Sequence, residues 1–334
     1  MPELRQNPIT FEWVIIAPER EKRPFNHRKT KIKPKLEEYD PKCPFCPGNN
    51  VEIPLQAFSM KCSGQEAPIV FSFRNKYPAL ISNPNHLEEE TNGYFHKIEG
   101  FGFHEVIVEN PKHNLTFGTY NDEEAFLVVK AYHERCSKIY EDRRISYVTI
   151  FQNHGKEAGA SLSHPHSQLI GTPFVPTRVQ TRQKTASEFY KENQTCIVCN
   201  LIQKELEVKK RVICETSSFL VISPFAARDP FETWIIPKIH HTSFNMIDEK
   251  ELESLGAILN LTLGKLKFGL NDPDYNLIFR SAPIKEKAEE YYHWYIEIFP
   301  RLRKTAGFEI GSGIYVNTSI PEQNAKLLRE ITLK

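Results

Sequence analysis

The second half of this chain repeats the first, which restricts the fold to two copies of one unit. A Cys-x-x-Cys pair, Cys43 and Cys46, returns as Cys196 and Cys199. The run from His104 to His113 returns as Phe231 to His240. Each run is followed by a helix with a capping box, Asn121 with Glu124 and then Asp248 with Glu251. Apolar residues at helical spacing, Phe126, Val129, Tyr132, Cys136 and Ile139, carry the first helix to about Tyr140 and make Cys136 plain core. Next come matching strands at 147–151 and 275–279, and matching strings, His164-x-His166-x-Gln168 and His293-x-Tyr295-x-Glu297. Equivalent histidines lie 127 residues apart (113 to 240) and 129 apart (164 to 293), against 153 for the cysteines (43 to 196). The first copy therefore holds 26 more residues between its cysteines and its first histidine.

At 334 residues the chain can bury a full core in each copy, and the halves are placed at 1–180 and 181–334. Strands are expected at 11–16, 71–73, 103–109 and 145–152, with a turn at Arg74 to Ala79. Residues 24–42, rich in Pro and Lys, read as an exposed connection, and 173–193 shows no strand pattern. With 43 basic and 42 acidic residues the formal net charge is +1, which argues against nucleic acid as a partner. No apolar run follows Met1 and no 18-residue apolar stretch occurs, so neither a leader nor a membrane span is expected and the location expected is cytoplasmic.

Each copy offers two cysteines and two histidines: Cys43, Cys46, His113 and His164, then Cys196, Cys199, His240 and His293. Thiolate and imidazole in a four-donor set with no open position make a structural zinc site, and the duplication argues against accident. Two zinc ions per chain are expected, with iron an alternative at the second site and His241 an alternative ligand there. The leftover thiols are Cys62, Cys136 and Cys214.

The copies differ where chemistry would sit. On an extended strand His164, His166 and Gln168 share one face, successive members roughly 7 Å apart. In the second copy His166 is replaced by Tyr295 and Gln168 by Glu297, and the loop from Asn153 to Ser161, with Gly155 and Gly159, gives way to a charged loop at 281–290 without glycine. Small residues let backbone N–H groups approach an anion, so Gly159, Ala160 and Ser161 form a candidate phosphate cradle. One catalytic centre per chain follows, in the first half, which alone keeps a second imidazole, His166, beside a neutral amide, Gln168.

With these residues in view, the chain resembles the tandem branch of the histidine-triad superfamily, namely the galactose-1-phosphate uridylyltransferases and the similar ADP-glucose phosphorylases. The resemblance rests on Trp13 to Pro24, Arg74 to Leu80, Asn153 to Gln168, His293 to Glu297, and Ala306 to Gly313 with Pro321 and Glu322. It implies an α+β fold of duplicated histidine-triad-like halves, each an antiparallel sheet with helices on one face. It also implies a ping-pong exchange in which His166 takes a uridylyl group from UDP-glucose and yields it to galactose 1-phosphate, as in galactose metabolism. Two alternatives stand beside it: an ADP-glucose phosphorylase or adenylyltransferase with phosphate as acceptor, and a non-enzymatic, zinc-stabilised nucleotide-binding module. By match to the family motifs, Asn75 and Asn153 hold the nucleotide, Arg20 and Arg23 meet phosphate charge from a partner subunit, and a homodimer is expected. Many uridylyltransferases carry a second imidazole, an iron ligand, where Tyr295 stands. Its absence favours zinc and the phosphorylase-like members.

Overall fold

Strand-forming runs from both copies pair into one antiparallel sheet of ten strands, described by a computed structural model over residues 1–22, 36–49, 56–64, 66–82, 89–284, 288 and 290–333. From the middle outward, the first half supplies β8 (Tyr147–His154), β9 (His166–Thr172), β7 (Phe103–Val108), β4 (Val70–Arg74) and β3 (Gln56–Met60). Its mirror in sequence order is β13 (Tyr275–Arg280), β14 (Tyr295–Pro300), β12 (Thr233–Pro237), β11 (Phe219–Ile222) and β10 (Val212–Glu215). The halves join where the equivalent strands β8 and β13 pair, His154 opposite Tyr275 and Phe151 opposite Ile278. Pairing the equivalent strand of each copy covers the edges of β8 and β13 and leaves β3 and β10 as the outer edges of the sheet.

The helices α1 (Asp122–Tyr140) and α4 (Glu249–Gly269) both start with the expected capping box. They pack against each other on one face of the sheet, close enough that a Cβ on Gly256 would come within 2.9 Å of the Phe126 backbone nitrogen. Beneath them, one core draws Val128, Tyr132, Ile150 and Leu169 from the first half and Leu255, Leu259, Phe279 and Trp294 from the second. Three further helices belong to the second half and the chain end: α3 (Ile197–Val208), α5 (Gly307–Ser312) and α6 (Pro321–Glu330). Near the N-terminus β1 (Glu3–Gln6) and β2 (Trp13–Ile16) form a small sheet with β15 (Tyr315–Asn317), and β5 (Glu89–Asn92) pairs with β6 (Phe95–Ile98) as a hairpin.

Some expectations shift. The strand expected from residue 11 begins at Trp13, because Phe11 takes φ +58 in a turn where the Asn7 side chain accepts from the N–H groups of Ile9 and Thr10. Segment 173–193 is mostly helix, α2 (Thr177–Asn193), so the junction placed near residue 180 falls inside it. Its buried face includes Arg182, Gln183 and Thr185, which gives no apolar stripe to read. Residues 24–35 of the Pro- and Lys-rich connection and positions 285–287 and 289 of the charged loop lie outside the described residues. Among the described residues no helix is long and apolar enough to cross a membrane.

Candidate active site and metal centres

The two four-donor sets meet in space. Cys43, Cys46, His113 and His164 form one cluster and Cys196, Cys199, His240 and His293 the other, the donor atoms within 4.8 Å of one another. In the first, Cys46 Sγ lies 3.5 Å from His113 Nδ1 and 3.6 Å from His164 Nδ1, and Cys43 Sγ lies 3.6 Å from His164 Nδ1. A tetrahedral zinc with bonds of about 2.3 Å to sulfur and 2.0 Å to nitrogen sets its N···S edges at roughly 3.6 Å. In the second, Cys199 Sγ is 3.2 Å from His240 Nδ1 and 3.4 Å from His293 Nδ1. The centres are copies to the second layer: His164 Nε2–H donates to the Asn110 carbonyl at 2.8 Å, His293 Nε2–H to the Pro237 carbonyl at 2.9 Å. Such bonds fix the tautomer and direct Nδ1 at an ion. Burial holds His164 down to about 4, hence neutral as a ligand must be. His241 stays outside the cluster, 3.2 Å from Glu251 in the α4 capping box.

His166 opens β9 two residues after His164. Its Nδ1 lies 2.8 Å from the His164 carbonyl, which can only accept, so the ring proton is on Nδ1 and the lone pair on Nε2. Burial lowers its pKa; the carbonyl opposes that, and the charge of nearby His154 adds to it. The ring stands edge-on to Phe45 of the cysteine knuckle at 5.5 Å, and Phe45 also meets His164 at 5.9 Å. On the opposite face of β9, Ser167 donates to buried Glu109, which also accepts from Tyr132 at 2.6 Å and Gln152 at 2.8 Å. This network pins the strand from behind and was not visible in the sequence, where Glu109 is one more acidic residue at a strand end.

The loop from Asn153 to Ser161 is built by both halves. Gly155 has φ +83, and a Cβ there would sit 2.1 Å from Asp274 Oδ1, so only glycine fits. Asp274 in turn accepts from the Glu157 N–H at 2.6 Å, and His154 stacks on Tyr275 at 4.7 Å. Asn276 donates to the Asn153 side chain at 2.7 Å and to the Ala158 carbonyl at 2.8 Å, which leaves the Asn153 amide nitrogen facing Gly159. The N–H groups of Gly159 and Ala160, expected to meet phosphate, instead donate to the carbonyls of Lys156 and Gly155, because the 3-10 turn Lys156–Ala158 closes on itself. Ser161 remains exposed at the loop's end. Asn75 lies at the end of β4, its side chain accepting from the Tyr77 N–H at 2.8 Å. Arg20 sits in a 3-10 turn after β2, on the small sheet rather than the histidine sheet, and Arg23 is outside the described residues.

In the second copy the corresponding positions are closed. Tyr295 and Glu297 are buried, and Glu297 is gripped by Arg280 at 2.6 Å and Arg182 at 3.4 Å. Burial would raise that carboxyl, but Arg280, Arg182 and Arg228 outweigh it and hold Glu297 down to about 2. A carboxylate gripped by guanidinium groups thus stands where the first copy has a neutral amide.

Comparison with known proteins places these features. A family model described as galactose-1-phosphate uridyl transferase, N-terminal domain, matches residues 1–176, and a domain of unknown function, DUF4921, matches 103–332. ADP-glucose phosphorylase of Arabidopsis thaliana is 38% identical over 336 residues, covering 99% of this chain and 93% of its own length. Galactose-1-phosphate uridylyltransferase of Thermotoga maritima is 31% identical over 338 residues, covering 99% and 98%. A crystal structure of the Arabidopsis thaliana ADP-glucose phosphorylase with bound ADP-glucose superposes with a TM-score of 0.85 at 35% identity, covering 100% of both chains.

Proposed function

The chain belongs to the galactose-1-phosphate uridylyltransferase family, and we propose on that basis that it passes a nucleotidyl group from a nucleotide sugar through His166, with ADP-glucose as donor and inorganic phosphate as acceptor. The observation that carries the reading is the pairing of His166 Nδ1 with the His164 carbonyl, which leaves a neutral, buried imidazole with its lone pair on Nε2. That lone pair attacks the α-phosphorus; a P–N bond forms, the P–O bond to the β-phosphate breaks, and glucose 1-phosphate leaves with the electron pair. A phosphate oxygen then attacks the same phosphorus, the P–N bond breaks, and ADP is released with His166 restored. Gln168, Asn153 and Ser161 are assigned to the phosphoryl oxygens, as neutral donors that hold an anion without repelling it. Asn75 is assigned to the nucleotide, and Arg20 and Arg23 to phosphate charge in the neighbouring subunit of a homodimer, for which Leu4, Phe11 and Trp13, exposed on and next to the small N-terminal sheet, give apolar surface.

Zinc at the first centre would be held by Cys43, Cys46, His113 and His164, a closed shell whose contribution is to fix the backbone that holds His166. Zinc is assigned to the second centre as well, on Cys196, Cys199, His240 and His293. ADP-glucose and phosphate are preferred because of the Arabidopsis thaliana relative and because Tyr295 stands where an iron-binding imidazole would. The second reading, UDP-glucose with galactose 1-phosphate, is favoured by the family model and the Thermotoga maritima relative. Incubation with each nucleotide sugar, with phosphate or galactose 1-phosphate as acceptor, separates them. ADP and glucose 1-phosphate formed from ADP-glucose and phosphate are expected. UDP-galactose formed from UDP-glucose and galactose 1-phosphate, with phosphate inert, would replace the first reading by the second.

A further inference from the structure

We infer that His104, on β7, is a positioning residue that sets which end of the Gln168 amide meets the phosphoryl oxygens; the inference rests on the nucleotidyl-transfer reading above. A glutamine amide is nearly symmetric in shape, and nothing in Gln168 itself decides between its oxygen and its NH2 group. Only the NH2 end helps a phosphoryl group, whose oxygens accept and do not donate. The choice is made two hydrogen bonds away. The backbone N–H of Ala79 lies 3.0 Å from His104 Nδ1, and a backbone N–H can only donate, so Nδ1 carries the lone pair and the neutral ring bears its proton on Nε2. That Nε2–H donates to Gln168 Oε1 at 2.8 Å, which turns the amide nitrogen to the other side.

Asn75 does not compete for that proton. The Tyr77 N–H fixes Asn75 Oδ1 as an acceptor, so its amide nitrogen is the atom that faces His104 Nε2 at 3.1 Å. Two donors do not bond, and the Nε2 proton is committed to Gln168. The turn at 75–79, the imidazole and the glutamine thus form a one-way chain of donors ending at the phosphate position. Strand register puts His104 two residues along from Val106, the direct partner of Gln168, on the same face of the sheet. The repeat agrees: in the second copy Trp234 is the direct partner of Glu297, so the residue two along on that face is Glu232, and the imidazole is missing where the amide is missing.

The test is single-turnover labelling of the protein by saturating radiolabelled ADP-glucose or UDP-glucose. His104→Ala is expected to label about tenfold more slowly, the worth of one hydrogen bond that holds a group in place. His104→Gln, whose amide nitrogen takes the place of Nε2, is expected to restore labelling to within about threefold of the wild type. In a Gln168→Ala background, His104→Ala is expected to cost nothing more, because the two changes act through one group. Wild-type protein that takes no label overturns the nucleotidyl-transfer reading and this role with it. Wild-type labelling matched by His104→Ala overturns the role of His104 alone. So does a full His104→Ala loss that persists without Gln168, since that is how a merely structural residue behaves.

Discussion

At His166 the two ring nitrogens have been given different work by one backbone carbonyl, and the consequence is measurable. His166→Gly is expected to keep the fold and the metal, lose turnover by about a thousandfold or more, and regain part of it when free imidazole occupies the vacated space. His164→Gly is expected to lose metal and stability together, because it removes a ligand. Metal analysis alongside imidazole rescue checks both, and equal loss of metal in the two variants would make His166 a ligand instead of a nucleophile. The His-x-His-x-Gln string was legible as a motif, and His166 and Gln168 do alternate onto one face of β9, but His164, expected on the same strand, sits in a bend before it because Pro165 intervenes. His104, Asp274 and Asn276 were not legible, since their roles arise from pairing across β7, β9, β8 and β13. Period-two alternation from Val106 back to His104 was the one signal that would have drawn attention to the imidazole.

The loop from Asn153 to Ser161 is the element where the halves depend on each other. Gly155→Ala forces a side chain to φ +83 and against an Asp274 already held by the Glu157 N–H. A cost of about 1–3 kcal/mol is expected for such strain, a Tm lower by several degrees, and slower labelling of His166. Unchanged Tm and labelling in calorimetry and single-turnover assays would mean the loop does not need this conformation. At this scale the starts of helices α1 and α4 were readable to the residue, because a capping box is a local hydrogen-bond pattern. Helix α2 was not, because it buries Arg182 against Glu297 and so hides its inward face from a hydrophobicity reading.

At the scale of the whole molecule one sheet is made from two copies of a unit, and the His166–Gln168 pair occurs in one of them. The second copy holds its counterpart in an ion cluster, and that cluster has a pH signature. Glu297, at about 2 when folded against an ordinary 4.5, has a depressed pKa, so its contribution is present above about pH 4.5 and is lost as pH falls towards 2. The groups that set this are Arg280, Arg182 and Arg228, with Tyr295 and Glu232 nearby. Glu297→Gln is expected to be less stable than the wild type by about 3 kcal/mol at pH 7, with the gap closing between pH 4.5 and 2. Denaturant melts across that range check it, and a gap that does not change with pH would remove the ion cluster from the stability account. Chelation is expected to unfold both halves together, since they share one core, and circular dichroism during metal removal would report it. The duplication itself was plain in the sequence, whereas the pairing of β8 with β13 was not, because a repeat says what is copied and not which edges meet. The most direct measurement is the stoichiometry and position of the covalent intermediate: protein saturated with labelled nucleotide sugar, quenched in alkaline denaturant to preserve the phosphoramidate, digested and mapped. One nucleotidyl group per chain on His166 is the predicted result; label on Tyr295, on any other residue, or at two groups per chain would contradict it.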